Sequence, residues 1–162
     1  MTVAIRLARA DDTDAVCAVD RSVPDMSGRT AFIERAIAAG ECYVATDRDA
    51  IVGYAVFDRS FFGQPFVSLL IVAEPQRRRG IGARLMRHIE SICPGDKLFT
   101  STNESNTPMQ RLCEQLGFVR SGYIENLDEG DPEIIYFKRA RTPVTPPTAD
   151  RRPPTARQRA TR

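Results

Sequence analysis

At 162 residues the chain is long enough for one domain with its own hydrophobic core, and 42% hydrophobic with 27% charged residues is an ordinary globular balance. The net charge of +2 hides an asymmetry: residues 1–140 hold 17 Lys/Arg against 20 Asp/Glu, while 141–162 hold six Arg against Asp150 alone. No apolar run approaches the roughly 20 residues of a membrane helix, and the start, "MTVAIRLARADD", lacks the apolar segment of a signal peptide.

Cys17, Cys42, Cys93 and Cys113 form no Cys-x-x-Cys pair, and His88 is the single histidine. No metal site is expected, and the thiols read as reduced in a cytoplasmic protein.

In chain order, "TVAIRLA" (2–8) alternates as a strand and "DDTDAVCAVDRS" opens with acidic residues suited to a short helix. "TAFIERAIAAG" puts Phe32, Ile33, Ala36 and Ile37 on one helical face and stops at Gly40. "ECYVATD" (41–47) and "AIVGYAVFD" (50–58) read as a hairpin around Arg48-Asp49. "QPFVSLLIVAEP" (64–75) is a continuous apolar strand, expected to be buried on both faces. Ile81, Leu85, Ile89 and Ile92 then recur at helical spacing up to Pro94-Gly95, and "KLFTST" is a short strand. In "SNTPMQRLCEQLG", Asn106 or Ser105 can cap a helix, Pro108 fits its first turn and Gly117 ends it. "FVRSGYIEN" and "EIIYFKR" are two strands around an acidic turn. The order β-α-α-β-β-β-α-β-α-β-β describes an α/β domain with a mixed sheet over 1–140. Residues 141–162, with five prolines, five threonines and no Leu, Ile, Phe or Tyr, read as a disordered basic tail.

"EPQRRRGIGARLM" (74–86) sets three arginines before a Gly-Ile-Gly step at a helix start. Gly80 and Gly82 let backbone approach a ligand closely, and the first N–H groups of a helix lack internal acceptors. With the positive end of the helix dipole, such a start suits a pyrophosphate. No Gly-Lys-Ser/Thr follows, so it is not a P-loop.

The stretch "VAEPQRRRGIGARLM" resembles the central motif of the GNAT superfamily of acetyl-CoA-dependent N-acetyltransferases, Gln/Arg-x-x-Gly-x-Gly/Ala after the fourth strand. Arg77, Gly80 and Gly82 fit it. "NTPMQRLCEQLGF" is similar to the family's second signature, and the order of elements is the family's over about 3–139. The resemblance implies a mixed, mostly antiparallel sheet flanked by helices. It implies that backbone groups of Leu70, Ile71 and Val72 bond the pantetheine arm of acetyl-CoA. The N–H groups from Arg78, Arg79, Gly80, Ile81 and Gly82 to Ala83 would surround the pyrophosphate, and Asn106 would meet the reactive end.

In the reaction so implied, a neutral amine attacks the thioester. Deprotonating an amine of pKa near 10.4 at pH 7 costs roughly 4.6 kcal/mol, whereas a thiolate leaving group near 8.5 needs only about 2 kcal/mol. Many family members carry tyrosine where this chain has Cys113, which reads either as a packing thiol or as a proton donor; Tyr123 is a further candidate donor. For the base, the position five before Asn106, glutamate in the ribosomal-protein alanine acetyltransferases, is Ser101, and the fourth strand holds no carboxylate. "ENLDEGDPE" offers Glu125, Asp128, Glu129 and Asp131 either as a solvated turn or as an anionic rim for a cationic amine. Two other readings stay open: a protein of this fold that binds acyl-CoA without transferring it, and a nucleic-acid binder using Arg77–Arg79 and the tail. The acidic body and the absence of Trp weigh against the last. The acceptor and the oligomeric state are not legible.

Overall fold

Apolar runs buried on both faces make β2 (Cys42–Asp47) and β3 (Ala50–Phe61) interior strands, and β1 (Val3–Leu7) pairs antiparallel with β2 at the sheet edge. The computed structural model describes residues 3–23 and 28–140, so the tail expected over 141–162 lies outside the described residues. Strand β3 runs three residues further than its apolar pattern and turns at Phe62-Gly63, both at positive φ (50° and 72°). Such two-residue turns match the twist of a hairpin. The chain returns as β4 (Gln64–Val72), antiparallel to β3.

Two helices and three strands follow: α3 (Ile81–Ile92), β5 (Lys97–Asn103), α4 (Thr107–Gln115) and the hairpin β6 (Val119–Ile124) with β7 (Glu133–Arg139). Among the described residues seven strands lie in the order β1-β2-β3-β4-β5-β7-β6, and β4 with β5 is their one parallel pair. Asn106 caps α4 by accepting from the Met109 amide at 3.3 Å, as its sequence suggests. The first helix divides in two. A 3-10 turn at Ala10–Asp12 precedes α1 (Thr13–Arg21), because the Asp12 carboxylate folds back onto the Arg9 amide and the Arg6 guanidinium.

Helices α1 and α2 (Thr30–Ala38) cover one face of the β1–β4 half, burying Val16, Ile33 and Ala36 against Val44, Tyr54, Val56 and Ile71. Helices α3 and α4 cover the opposite face, where Ile81, Leu85, Met86 and Ile89 pack with Cys113, Leu116 and Tyr136. Each fully buried Val, Ile, Leu or Met side chain among them contributes about 1.5–3 kcal/mol. The continuous burial expected of β4 is not found: Ser68, Leu69, Leu70 and Val72 are only half-buried. The reason is topological. β4 pairs with β5 only at Phe66↔Phe99 and Val67↔Thr100, and beyond Val67 no strand among the described residues pairs on that side.

The start of α3 is seated on β3 and β4 through Gly53, where an added Cβ would lie 2.9 Å from the Ile71 carbonyl oxygen and 3.4 Å from Ile81. The nearer atom is backbone and cannot yield cheaply. Gly53→Ala should therefore cost about 1–3 kcal/mol, read as a lower urea midpoint with an unchanged slope.

Candidate functional site

The separation of β4 from β5 opens a wedge whose β4 wall is bare backbone. Ala73 donates to the Val52 carbonyl at 3.0 Å, toward β3, whereas the Val72 carbonyl faces the wedge and accepts from Arg77 Nε at 3.2 Å. In an antiparallel ladder successive residues alternate sides. The free groups are therefore those of Leu70 and Val72, while those of Ile71 turn toward β3. Of the three residues expected to bond an extended ligand arm, Ile71 serves instead as a core residue, 6% exposed.

At the mouth of the wedge lies the N-terminus of α3. Arg78 (φ 59°) and Gly80 (φ 77°) both adopt the left-handed conformation. The first helical bond is Arg84 N–H to the Gly80 carbonyl, at 3.1 Å. Amides from Arg78 to Ala83 find no acceptor among the described residues. Alternating left-handed residues turn consecutive N–H groups inward as an anion-binding nest, and the helix dipole acts in the same sense. The side chains of Arg77, Arg78 and Arg79 are exposed around it, with Arg79 held by Gln76 Oε1. Gly80 has open space where a Cβ would stand, so its backbone angle is what demands glycine. Gly82 is a packing glycine. A Cβ there would sit 3.2 Å from Leu112 and 3.8 Å from Leu70, so it keeps α3 close to both α4 and β4.

Neither candidate proton donor is well placed. Cys113 is fully buried in the core beneath α4, and burial pushes its thiol up to about 12. A proton passing from such a group to a thiolate near 8.5 runs uphill by about 5 kcal/mol. The geometry therefore corrects Cys113 as a donor and supports its packing role. Tyr123 is 66% exposed on β6, the sheet edge. It is three strand spacings from β4, or roughly 14 Å, which corrects its assignment as well.

The acidic link between β6 and β7 is stitched to the loop that precedes α4. Asp128 accepts from Asn103 Nδ2 at 2.8 Å, and Asp131 accepts from the Ser105 amide and hydroxyl at 2.9 and 2.6 Å. These two carboxylates are structural ties. Glu125 lines an open cleft of about 370 Å³ with Glu104, Arg120 and Tyr123, and Glu129 is exposed with no ion-pair partner among the described residues. Asn106 is exposed, with its side-chain oxygen occupied by the helix cap. The nucleic-acid reading gains nothing, since the exposed arginines surround an amide nest.

Asp58, on β3, is a carboxylate that the sequence pattern does not single out. Asp58 is buried and accepts from Ser68 Oγ of β4 at 2.6 Å. The only available signal was an acidic residue closing an otherwise apolar strand.

The chain matches the acetyltransferase (GNAT) family model over residues 11–118. It is similar to the structure of a GNAT-family acetyltransferase from Bacillus cereus at 38% identity, covering 88% of this chain and 100% of that one, with TM-score 0.83. At fold level it resembles yncA from Salmonella typhimurium, solved with its cofactor acetyl-CoA (16% identity, 90% and 98% covered, TM-score 0.71). It also resembles the ribosomal-protein-S18-alanine N-acetyltransferase from Escherichia coli (16%, 88% and 96%, 0.72). No curated protein matches the chain.

Because Cys113 only packs, Cys113→Ala should lower stability by about 1–2 kcal/mol. Turnover of the folded variant should stay within a few-fold of the parent, measured as thiol release from acetyl-CoA. A folded variant a hundredfold slower would return Cys113 to the reaction.

Proposed function

The chain belongs to the acetyltransferase (GNAT) family and is an acyltransferase; we propose that it transfers the acetyl group of acetyl-CoA to a primary amine by direct attack in a ternary complex. The observation that carries this reading is the run of free amides from Arg78 to Ala83 set beside the unpaired backbone of Leu70 and Val72. A diphosphate fits the first, and an extended amide-bearing arm fits the second. The arginines would add long-range attraction for the phosphates, and Asn106, at the start of α4, would border the reactive end.

Acetyl-CoA supplies an activated acyl group on sulfur. The protein's part is to hold the thioester carbonyl against the Leu70–Val72 wall and to admit the amine from the face carrying α1 and α2. The amine lone pair forms the C–N bond as the C–S bond breaks, and the sulfur leaves with the electron pair. At a thiol pKa near 8.5 it needs only about 2 kcal/mol of help at pH 7, so water can protonate it without a dedicated acid. Glu125 and Glu129 support an amine that carries further positive charge, on a small molecule or a protein. The four free, buried cysteines support a cytoplasmic setting, and no helix among the described residues is long and apolar enough to cross a membrane.

Acetyl-CoA at a hundredfold excess over its Kd should add about 2.7 kcal/mol of stability, seen as a raised Tm. Gly82→Val should abolish that rise, because its added methyl groups wedge Leu112 away from β4. An unchanged rise in that variant would count against this binding site. Screening polyamines, amino acids, aminoglycosides and N-terminal peptides by thiol release should then identify the acceptor. Binding without turnover on any of them would favour an acyl-CoA-binding protein.

A further inference from the structure

Asp58 is 8% exposed, and such burial of a carboxylate demands compensation. It receives three hydrogen bonds. Its Oδ1 accepts from the Ser60 amide at 2.8 Å and the Ser60 hydroxyl at 2.6 Å, and its Oδ2 accepts from the Ser68 hydroxyl at 2.6 Å. No Lys or Arg pairs with it among the described residues. The register explains why Ser68 reaches it. β3 and β4 pair as Val56↔Leu69 and Phe57↔Val67, which leaves Ser68 as the extra residue of a β-bulge. The bulge lies one residue beyond Val67, the last position at which β4 pairs with β5.

Both side chains lie on the face that bears α1 and α2. Val56 and Leu69 face that cluster, and Asp58 follows Val56 by two residues. Ser68 thus stands at the vertex of the wedge, half-buried, two residues or roughly 7 Å along the strand from Leu70. With its proton directed to Asp58, the Ser68 oxygen presents lone pairs to whatever donates from the wedge.

Resting on the acetyltransferase reading above, we infer that Ser68 and Asp58 form the proton relay that takes the amine proton during acetyl transfer. Ser68 is the catalytic residue that touches the amine, and Asp58 is the positioning residue and proton sink behind it. As the nitrogen lone pair forms the C–N bond, the nitrogen turns cationic and its N–H acidic. That proton passes to Ser68 Oγ while the Ser68 hydroxyl proton passes to Asp58 Oδ2. The C–S electron pair leaves on sulfur, and the proton on Asp58 returns to water or to the thiolate. No oxidant or further reactant is required.

The experiment compares single-turnover acetylation by the parent, Ser68→Ala and Ser68→Thr proteins, with the acetyl-CoA-induced rise in Tm recorded for each. The amine is whichever the parent acetylates fastest among spermidine, an aminoglycoside, a free amino acid and an N-terminal peptide. Ser68→Ala leaves both Ser60 bonds to Asp58 in place and should fold and bind acetyl-CoA as the parent does. Its transfer rate should fall on the order of 10²-fold, and Ser68→Thr, which restores a hydroxyl, should recover to within a few-fold. The solvent deuterium isotope effect of the parent should shrink in Ser68→Ala. A Ser68→Ala rate within threefold of the parent overturns the relay and leaves the acetyltransferase reading intact. Equal slowing of the alanine and threonine variants also overturns it, because bulge shape would then matter and the hydroxyl would not. A parent that binds acetyl-CoA yet acetylates none of the amines overturns both.

Discussion

The divergence of β4 from β5 after two register pairs is the constraint from which the rest of the site follows. A parallel pair that continued would consume the backbone groups of Leu70 and Val72 in a ladder, and nothing would remain to hold a ligand. Unpaired backbone is costly when buried, so it persists here only because the wedge stays open on one side. The same opening accounts for the half-burial of a strand whose composition suits a two-sided core. It also leaves the N-terminus of α3 at the mouth of the wedge, with its first amides uncommitted among the described residues.

Two glycines with different duties hold that mouth in shape. Gly80 supplies a backbone angle, and Gly82 supplies closeness between α3, α4 and β4. A third, Gly53, works from beneath by letting the β3 backbone approach the Ile71 carbonyl. The Gly-Ile-Gly pattern shows the first two as one motif, yet space around the backbone separates their roles. The arginines before them are exposed, so their charge acts through solvent as a local field and adds little to stability.

The acidic link shows how the same composition divides once contacts exist. Asp128 and Asp131 are absorbed in tying β6–β7 to the segment before α4, and those ties fix the loop that carries Asn106. Glu125 and Glu129 stay outside the ties. A run of carboxylates in sequence therefore resolves into fasteners and free charge, and only the hydrogen-bond partners distinguish them.

The sequence by itself determined the elements and the amide nest. Alternation, helical spacing, the Asn106 cap and the Gly-Ile-Gly step are local, and short-range sterics and hydrogen bonding act on neighbours in the chain. Even so, the division of the first helix by Asp12, and the turn at Phe62-Gly63, needed contacts beyond the apolar pattern. Only the tertiary structure decided the surroundings of the candidate acidic and basic groups. It buried Cys113 where a thiol is a poor acid, set Tyr123 on the far edge of the sheet, and joined Asp58 to Ser68 across a bulge. Those outcomes depend on burial and on strand register between residues distant in sequence, and neither quantity is encoded in the spacing of residues along one segment.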